Sequence, residues 1–151
     1  MNPVNVEKHI VDILLAEDNE DDVFLIQEVF KREKLINLIQ VVRDGEEALA
    51  YLRLQGKYKE ARPPGLLLLD INMPKKNGFE VLKEMKADPA LRQIPVVILT
   101  TSKREEDVAR SYANGACSFI SKRIDMGEMR EVIKQFGLYW ALVSRIPKPQ
   151  L

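Results

Sequence analysis

Apolar positions in this chain come in blocks. Short, largely apolar runs are separated by stretches whose apolar residues recur at helical spacing, and two of the runs are apolar throughout, as expected of strands buried on both faces. Val11 to Ala16 predicts a first strand. Asn19 or Glu20 then opens a helix with Val23, Ile26 and Phe30 on one face, and the acids of its first turn suit the helix dipole. Leu38 to Val42 predicts a second strand, Asp44-Gly45 a turn, and Ala48, Leu49 and Leu52 a short second helix. The third strand is the run Leu66-Leu67-Leu68-Leu69, which is too short to span a membrane and ends abruptly at Asp70. A loop, Pro74-Lys75-Lys76-Asn77-Gly78, leads to a helix marked by Phe79, Leu82 and Met85. That helix should stop near Asp88-Pro89, because the residue before proline avoids helical geometry.

Pro95 to Leu99 is another apolar strand, ending at Thr100-Thr101-Ser102. Glu105 to Ala113 predicts a fourth helix with Val108, Ala109 and Tyr112 inward and Asn114-Gly115 as its stop. Ala116 to Ser121 is a fifth strand ending at Lys122, and Asp125 to about Ser144 is the last helix. Five strands and five helices in strict alternation predict a doubly wound α/β domain: a parallel sheet with right-handed crossovers and helices on both faces. One domain over residues 10–144, between tails at 1–9 and 145–151, accounts for the pattern. There is no internal repeat and no glycine-rich nucleotide loop.

Composition narrows the function. Lys plus Arg equals Asp plus Glu, 23 against 23, so no overall field draws the chain to nucleic acid or an anionic membrane. Cys117 is the sole cysteine and reads as a small core residue, in keeping with a reducing cytoplasm. Met1 to Lys8 lacks the apolar core of a signal peptide, so a cytoplasmic location is expected.

The strand ends carry the candidate chemistry. Strand one stops at Glu17-Asp18, strand three at Asp70, strand four at Thr100 and strand five at Lys122. In a doubly wound sheet these carboxyl ends share one edge, where ligands bind. Three carboxylates brought together repel one another unless a cation sits among them. Oxygen ligands without nearby His or Cys favour Mg²⁺ over zinc. A carboxylate beside such an ion can attack a phosphoryl group, whose spreading charge a metal, a lysine and a hydroxyl would stabilise. On this reading Asp70 is the nucleophile, Glu17 and Asp18 hold the metal, Lys122 pairs with the phosphoryl group and Thr100 hydrogen-bonds to it.

Glu17-Asp18, Asp70, Met73-Pro74, Gly78, Thr100 and Lys122 resemble the pattern of the receiver domain of two-component response regulators, over about residues 10 to 144. The resemblance implies a flavodoxin-like (βα)5 fold of strand order 2-1-3-4-5. It also implies transfer of a phosphoryl group to Asp70 from a phosphohistidine on a histidine kinase. Mg²⁺ would be held by Asp18, Asp70 and the main-chain carbonyl of Asn72, with Glu17 acting mostly through water. Thr100 and Phe119 would form the switch pair that couples phosphorylation to a binding surface. Gly56-Lys57-Tyr58 through Arg62-Pro63-Pro64, Met73 through Gly78, Leu99 through Ser102, and Tyr139-Trp140 further resemble the small regulators paired with cyanobacterial phytochrome histidine kinases. That subgroup implies a light-regulated phosphorelay.

Receivers usually carry a proline after the strand-five lysine, but here Arg123 follows Lys122, which leaves the isomer of that bond and the course of the next loop open. The long connection Gln55 to Gly65 carries Lys57, Lys59 and Arg62, which either meet a partner or are simply solvated. On the last helix, Met129, Val132, Ile133, Phe136, Trp140 and Val143 form one apolar stripe. Leu138, Tyr139 and Leu142 lie off it and either form a homodimer contact, the preferred reading, or cover the domain's own lower edge. Two other classes of function remain on the sequence alone. A Mg²⁺-dependent phosphohydrolase would also use an aspartyl phosphate, but such enzymes commonly place an acid two residues after the nucleophile, where this chain has Asn72. A receiver-like scaffold that accepts no phosphate has only Arg123 in its favour. The absence of a helix-turn-helix segment after residue 144 speaks against DNA binding by an output domain.

Overall fold

The computed structural model describes residues 13–32, 39–100, 113, 115 and 118–121, with Thr100 and residues 118–121 as strand backbone. Expectations for the N-terminal residues, most of the fourth helix, Cys117, Lys122, Arg123 and the last helix with Leu138, Tyr139 and Leu142 lie outside the described residues. The described strands are β1 (Ile13–Ala16), β2 (Ile39–Val42), β3 (Leu66–Asp70), β4 (Val96–Thr100) and β5 (Ser118–Ser121). The helices are α1 (Glu20–Arg32), α2 (Gly45–Leu52) and α3 (Gly78–Ala87), with a 3₁₀ turn at Gly56–Tyr58. All strand pairs are parallel, in the order β2-β1-β3-β4-β5, as expected for the doubly wound fold.

The four leucines of β3 show why the strand is apolar on both sides. Side chains alternate across a strand, so Leu67 and Leu69 enter one core with Leu14, Ala16, Val96 and Ile98, under α2 and α3. Leu66 and Leu68 enter the other with Ile13, Leu15, Val97 and Leu99, under Val23, Ile26, Val29 and Phe30 of α1. Helices therefore cover both faces, and β3 and β4 are buried between them. Replacing Leu67 with Ala in such a setting would cost about 2–5 kcal/mol.

The helix starts are set by short polar side chains. Asn19 Oδ1 accepts from the Asp22 N–H at 3.0 Å ahead of α1, whose first turn is acidic and whose last turn is basic. Asn77 and Glu80 form a reciprocal capping box at the start of α3. Asp88 ends α3 in an extended conformation, as its position before Pro89 requires. One local expectation changes: Asp44-Gly45 is a helix start rather than a free turn. Asp44 caps α2 by accepting from Glu47 N–H at 2.7 Å, and Gly45 is the first helical residue. The long connection after α2 also has structure of its own, since Tyr58 packs against Tyr51 with ring centroids 4.9 Å apart. Among the described residues, no helix is long and apolar enough to cross a membrane.

Candidate functional site

β1 and β3 are adjacent and in register, with Ala16 opposite Leu69, so the residues that follow each strand emerge side by side. Glu17, Asp18 and Asp70 accordingly present carboxylate oxygens that all lie within 4.8 Å of one another. Glu17 is fully buried and Asp70 nearly so, while Asp18 is exposed. The Asn19 N–H donates to Glu17 Oε2 at 3.3 Å, which orients the buried acid from the turn that opens α1. Together with Asn19, Glu20, Asp22 and Asn72 these three acids line a cleft of about 510 Å³. Asp70 shares its strand parity with Leu66 and Leu68, so its side chain leaves the sheet on the α1 side.

The loop after Asp70 is held from below. Buried Ile71 and Met73 flank exposed Asn72, and the Gly78 N–H donates to the Ile71 carbonyl at 2.8 Å. A Cβ on Gly78 would stand 2.4 Å from the Asp70 carbonyl oxygen, so only glycine allows α3 to begin this close to the strand end. Gly45 performs the same service on the other side, where a Cβ would stand 2.1 Å from the Lys76 carbonyl oxygen. Lys75, between them, adopts a left-handed φ of 69°, with its Nζ 3.7 Å from Asp44 Oδ2. Lys76 pairs with Glu84 of α3, which also meets Arg53 Nη2 at 3.4 Å. The Lys76 hydrogen bond holds the Glu84 carboxyl below its usual range.

The donors fit a hard divalent cation. They are all oxygen, two carboxylates are buried, and a cation among them would relieve the repulsion that their closeness imposes. Residues Glu17, Asp18 and Asp70 would hold it, and Asn72 lines the same cleft. Of the other expected site residues, Thr100 ends β4 one position beyond Leu99, the register partner of Asp70. It pairs with Ser121, the residue before Lys122 in the sequence. Phe119 pairs with Ile98 in the sheet. The side chains of Thr100 and Phe119, and all of Lys122, lie outside what is described. The sequence reading missed Asn19, Glu20 and Asp22 as walls of the cleft, and missed Gly45 as a contact of the loop. An Asp-x-x-Glu capping pattern at Asp44 and Glu47 was the available signal for the last of these.

A second cleft, also about 510 Å³, lies between α2 and the 3₁₀ turn, lined by Asp44, Glu46, Glu47, Lys57, Tyr58 and Lys75 among others. Here the expected surface lysine Lys57 has its Nζ 3.8 Å from Glu47 Oε1 and 5.2 Å from the Tyr58 ring centroid. Tyr58 hydroxyl donates to Glu47. Burial, and then this bond to a carboxylate, push the Tyr58 phenol above its ordinary range.

Residues 13–134 match the family described as response regulator receiver domain. Response regulator Rcp1 of Synechocystis is 39% identical over 135 residues, which span 89% of this chain and 92% of that protein. A probable methanogenesis regulatory protein, FilR2 of Methanothrix harundinacea, is 38% identical over 91% of this chain and 88% of its own. Among solved structures, the phosphorylated cyanobacterial phytochrome response regulator RcpA superposes with a TM-score of 0.79 at 41% identity, covering 93% of this chain and 99% of that one. The Mn²⁺-bound form of Rcp1 gives 0.78 at 38% identity, with the same coverage. A fold of this topology, acids at the ends of adjacent strands and a match over most of the length place this chain in the response regulator receiver family, among relatives of the phytochrome response regulators.

Proposed function

We propose that Asp70 accepts a phosphoryl group from a phosphohistidine on a partner histidine kinase. One observation carries this reading: Asp70 stands at the carboxyl end of the central strand with Glu17 and Asp18 oxygens within 4.8 Å. In the transfer an Asp70 oxygen attacks phosphorus, the phosphorus–nitrogen bond of the donor breaks, and its electron pair stays on the imidazole. The carboxylate is the attacking species, so no base is needed. Mg²⁺ in the cleft would neutralise charge on the phosphoryl oxygens. Asp18, Asp70 and the Asn72 main-chain carbonyl would hold it in this reading, with Glu17 acting mostly through water. The relative Rcp1 has a Mn²⁺-bound form, which agrees with a hard-cation site. Thr100 and Lys122 are assigned to the phosphoryl oxygens, and Thr100 with Phe119 to the switch that carries the change to a binding surface.

The chain is a signalling protein rather than a turnover enzyme in this scheme, with slow self-catalysed phosphotransfer and dephosphorylation at most. Its kinase is a phytochrome, as the relatives named for phytochrome signalling support. It acts in the cytoplasm as a receiver over residues 10–144, dimerising through Leu138, Tyr139 and Leu142. Mixing the protein with a phytochrome kinase and labelled ATP should transfer about one phosphoryl group per chain. Asp70→Asn, or chelation of divalent ions by EDTA, should abolish the labelling. Full labelling of the Asn variant would overturn the assignment of the nucleophile.

A further inference from the structure

Glu20 lines the acid cleft, yet its carboxylate is turned to Arg43, whose Nη1 lies 2.5 Å from Glu20 Oε1. Arg43 follows β2, and the Glu17 N–H donates to the carbonyl of the residue before it, Val42, at 3.0 Å. The Arg43 backbone is fixed from the other side, its N–H donating to Glu47 Oε2 at 3.3 Å. Glu47 in turn is held by Tyr58 and by the cap on Asp44. The guanidinium is therefore presented at the rim of the cleft by a braced backbone rather than by a free loop.

We infer that Arg43 determines which cation the cleft takes, by holding Glu20 out of the coordination shell. The inference rests on the metal-binding reading of Glu17, Asp18 and Asp70. Those three acids cluster within 4.8 Å, and Glu20, one turn further on, is not part of the cluster. A further carboxylate in the shell would fill a position that a phosphoryl oxygen or water needs. It would also favour the wrong ion, because Ca²⁺ accepts six to eight oxygens flexibly whereas Mg²⁺ demands six in a rigid octahedron and keeps several waters. Arg43 removes Glu20 from that competition while leaving the three-acid site intact.

The sign of the test separates this role from a structural one, since loosening a site by mutation ordinarily weakens binding. Full-length protein, Arg43→Gln, Arg43→Lys, Glu20→Gln and the Arg43→Gln/Glu20→Gln pair are titrated with MgCl₂ and with CaCl₂ by isothermal titration calorimetry. Because the pair is solvent-exposed, with Arg43 at 43% and Glu20 at 78%, the effect is modest. Arg43→Gln should tighten Ca²⁺ binding about two- to five-fold and Mg²⁺ binding less, the range an exposed ion pair commands. Arg43→Lys should retain most of the wild-type preference, and the double variant should match Glu20→Gln alone. An Arg43→Gln chain that binds both ions unchanged or more weakly overturns the inference. So does equal tightening in the Glu20→Gln background, which would mean that the guanidinium acts on the ion through space. A wild-type chain that binds no divalent cation overturns the metal reading itself, and this inference with it.

Discussion

Two clefts of equal volume, both lined in part by acids, arrange their charges differently. In the cleft at the strand ends, carboxylates face carboxylates: Glu17, Asp18 and Asp70 converge within 4.8 Å, two of them out of contact with bulk water. In the cleft beside α2, carboxylates face cations and donors: Glu47 meets Tyr58 and Lys57, and Asp44 meets Lys75 and a backbone N–H. Size does not distinguish them. What differs is how closely the acids crowd: in the first cleft three carboxylates share one small space, the arrangement a divalent cation would relieve, whereas in the second each of these acids is set beside a cation or donor.

The comparison breaks most severely at Glu17. Glu17→Gln should lower Mg²⁺ affinity about 10–100-fold, the usual effect of losing a residue that orients a metal's immediate ligands. Glu47→Gln, the matching change in the second cleft, should leave Mg²⁺ affinity where it was. Calorimetric titration of both variants checks the pair, and equal losses would erase the distinction. Gly78→Ala comes next. Its new methyl would meet the Asp70 carbonyl, so stability should fall by about 1–3 kcal/mol, as overpacking does, read as a drop in chemical denaturation midpoint. Phosphoryl transfer should fall in the same variant because the strand end must move.

Tyr58→Phe sharpens the second cleft with a smaller effect, about 0.5–1.5 kcal/mol for one hydrogen bond at neutral pH. Its pH dependence has a definite sign. The folded phenol holds its proton more tightly than the unfolded one, so that stability is fully present below the unfolded value of about 10 and is lost as pH rises beyond it. Thermal melts between pH 8 and 11 should show the wild type losing its advantage over the Phe variant toward the alkaline end. Smallest of all is Lys75→Gln. Removing an exposed cation 3.7 Å from Asp44 should change stability by less than about 0.5 kcal/mol.

The order of strands came only with the receiver resemblance, but the meeting of Glu17, Asp18 and Asp70 was legible in the sequence for a simple reason. β1, β3 and β4 are apolar blocks that run into a polar residue, and parallel topology puts those ends on one edge. What escaped was pairwise and long-range. The Asp44-x-x-Glu47 pattern could have marked a capped helix start, but the Lys76 carbonyl that demands glycine at 45 arrives from another part of the chain. Arg43 and Glu20 are likewise 23 residues apart, and periodicity carries no information about which surface charges meet. The 3₁₀ turn at Gly56–Tyr58 was hidden because its anchor is a ring contact with Tyr51 rather than a pattern of its own.

The odd-and-even division of the β3 leucines between two cores also aims the nucleophile. Inserting a fifth leucine before Asp70 would keep the segment as greasy as before while swinging the carboxylate toward α2 and α3, away from Glu17 and Asp18. Inserting two would swing it back, though a strand's step further out. Reactivity here is a matter of parity: the chain counts residues from the middle of the sheet, and only one remainder points the acid at its neighbours.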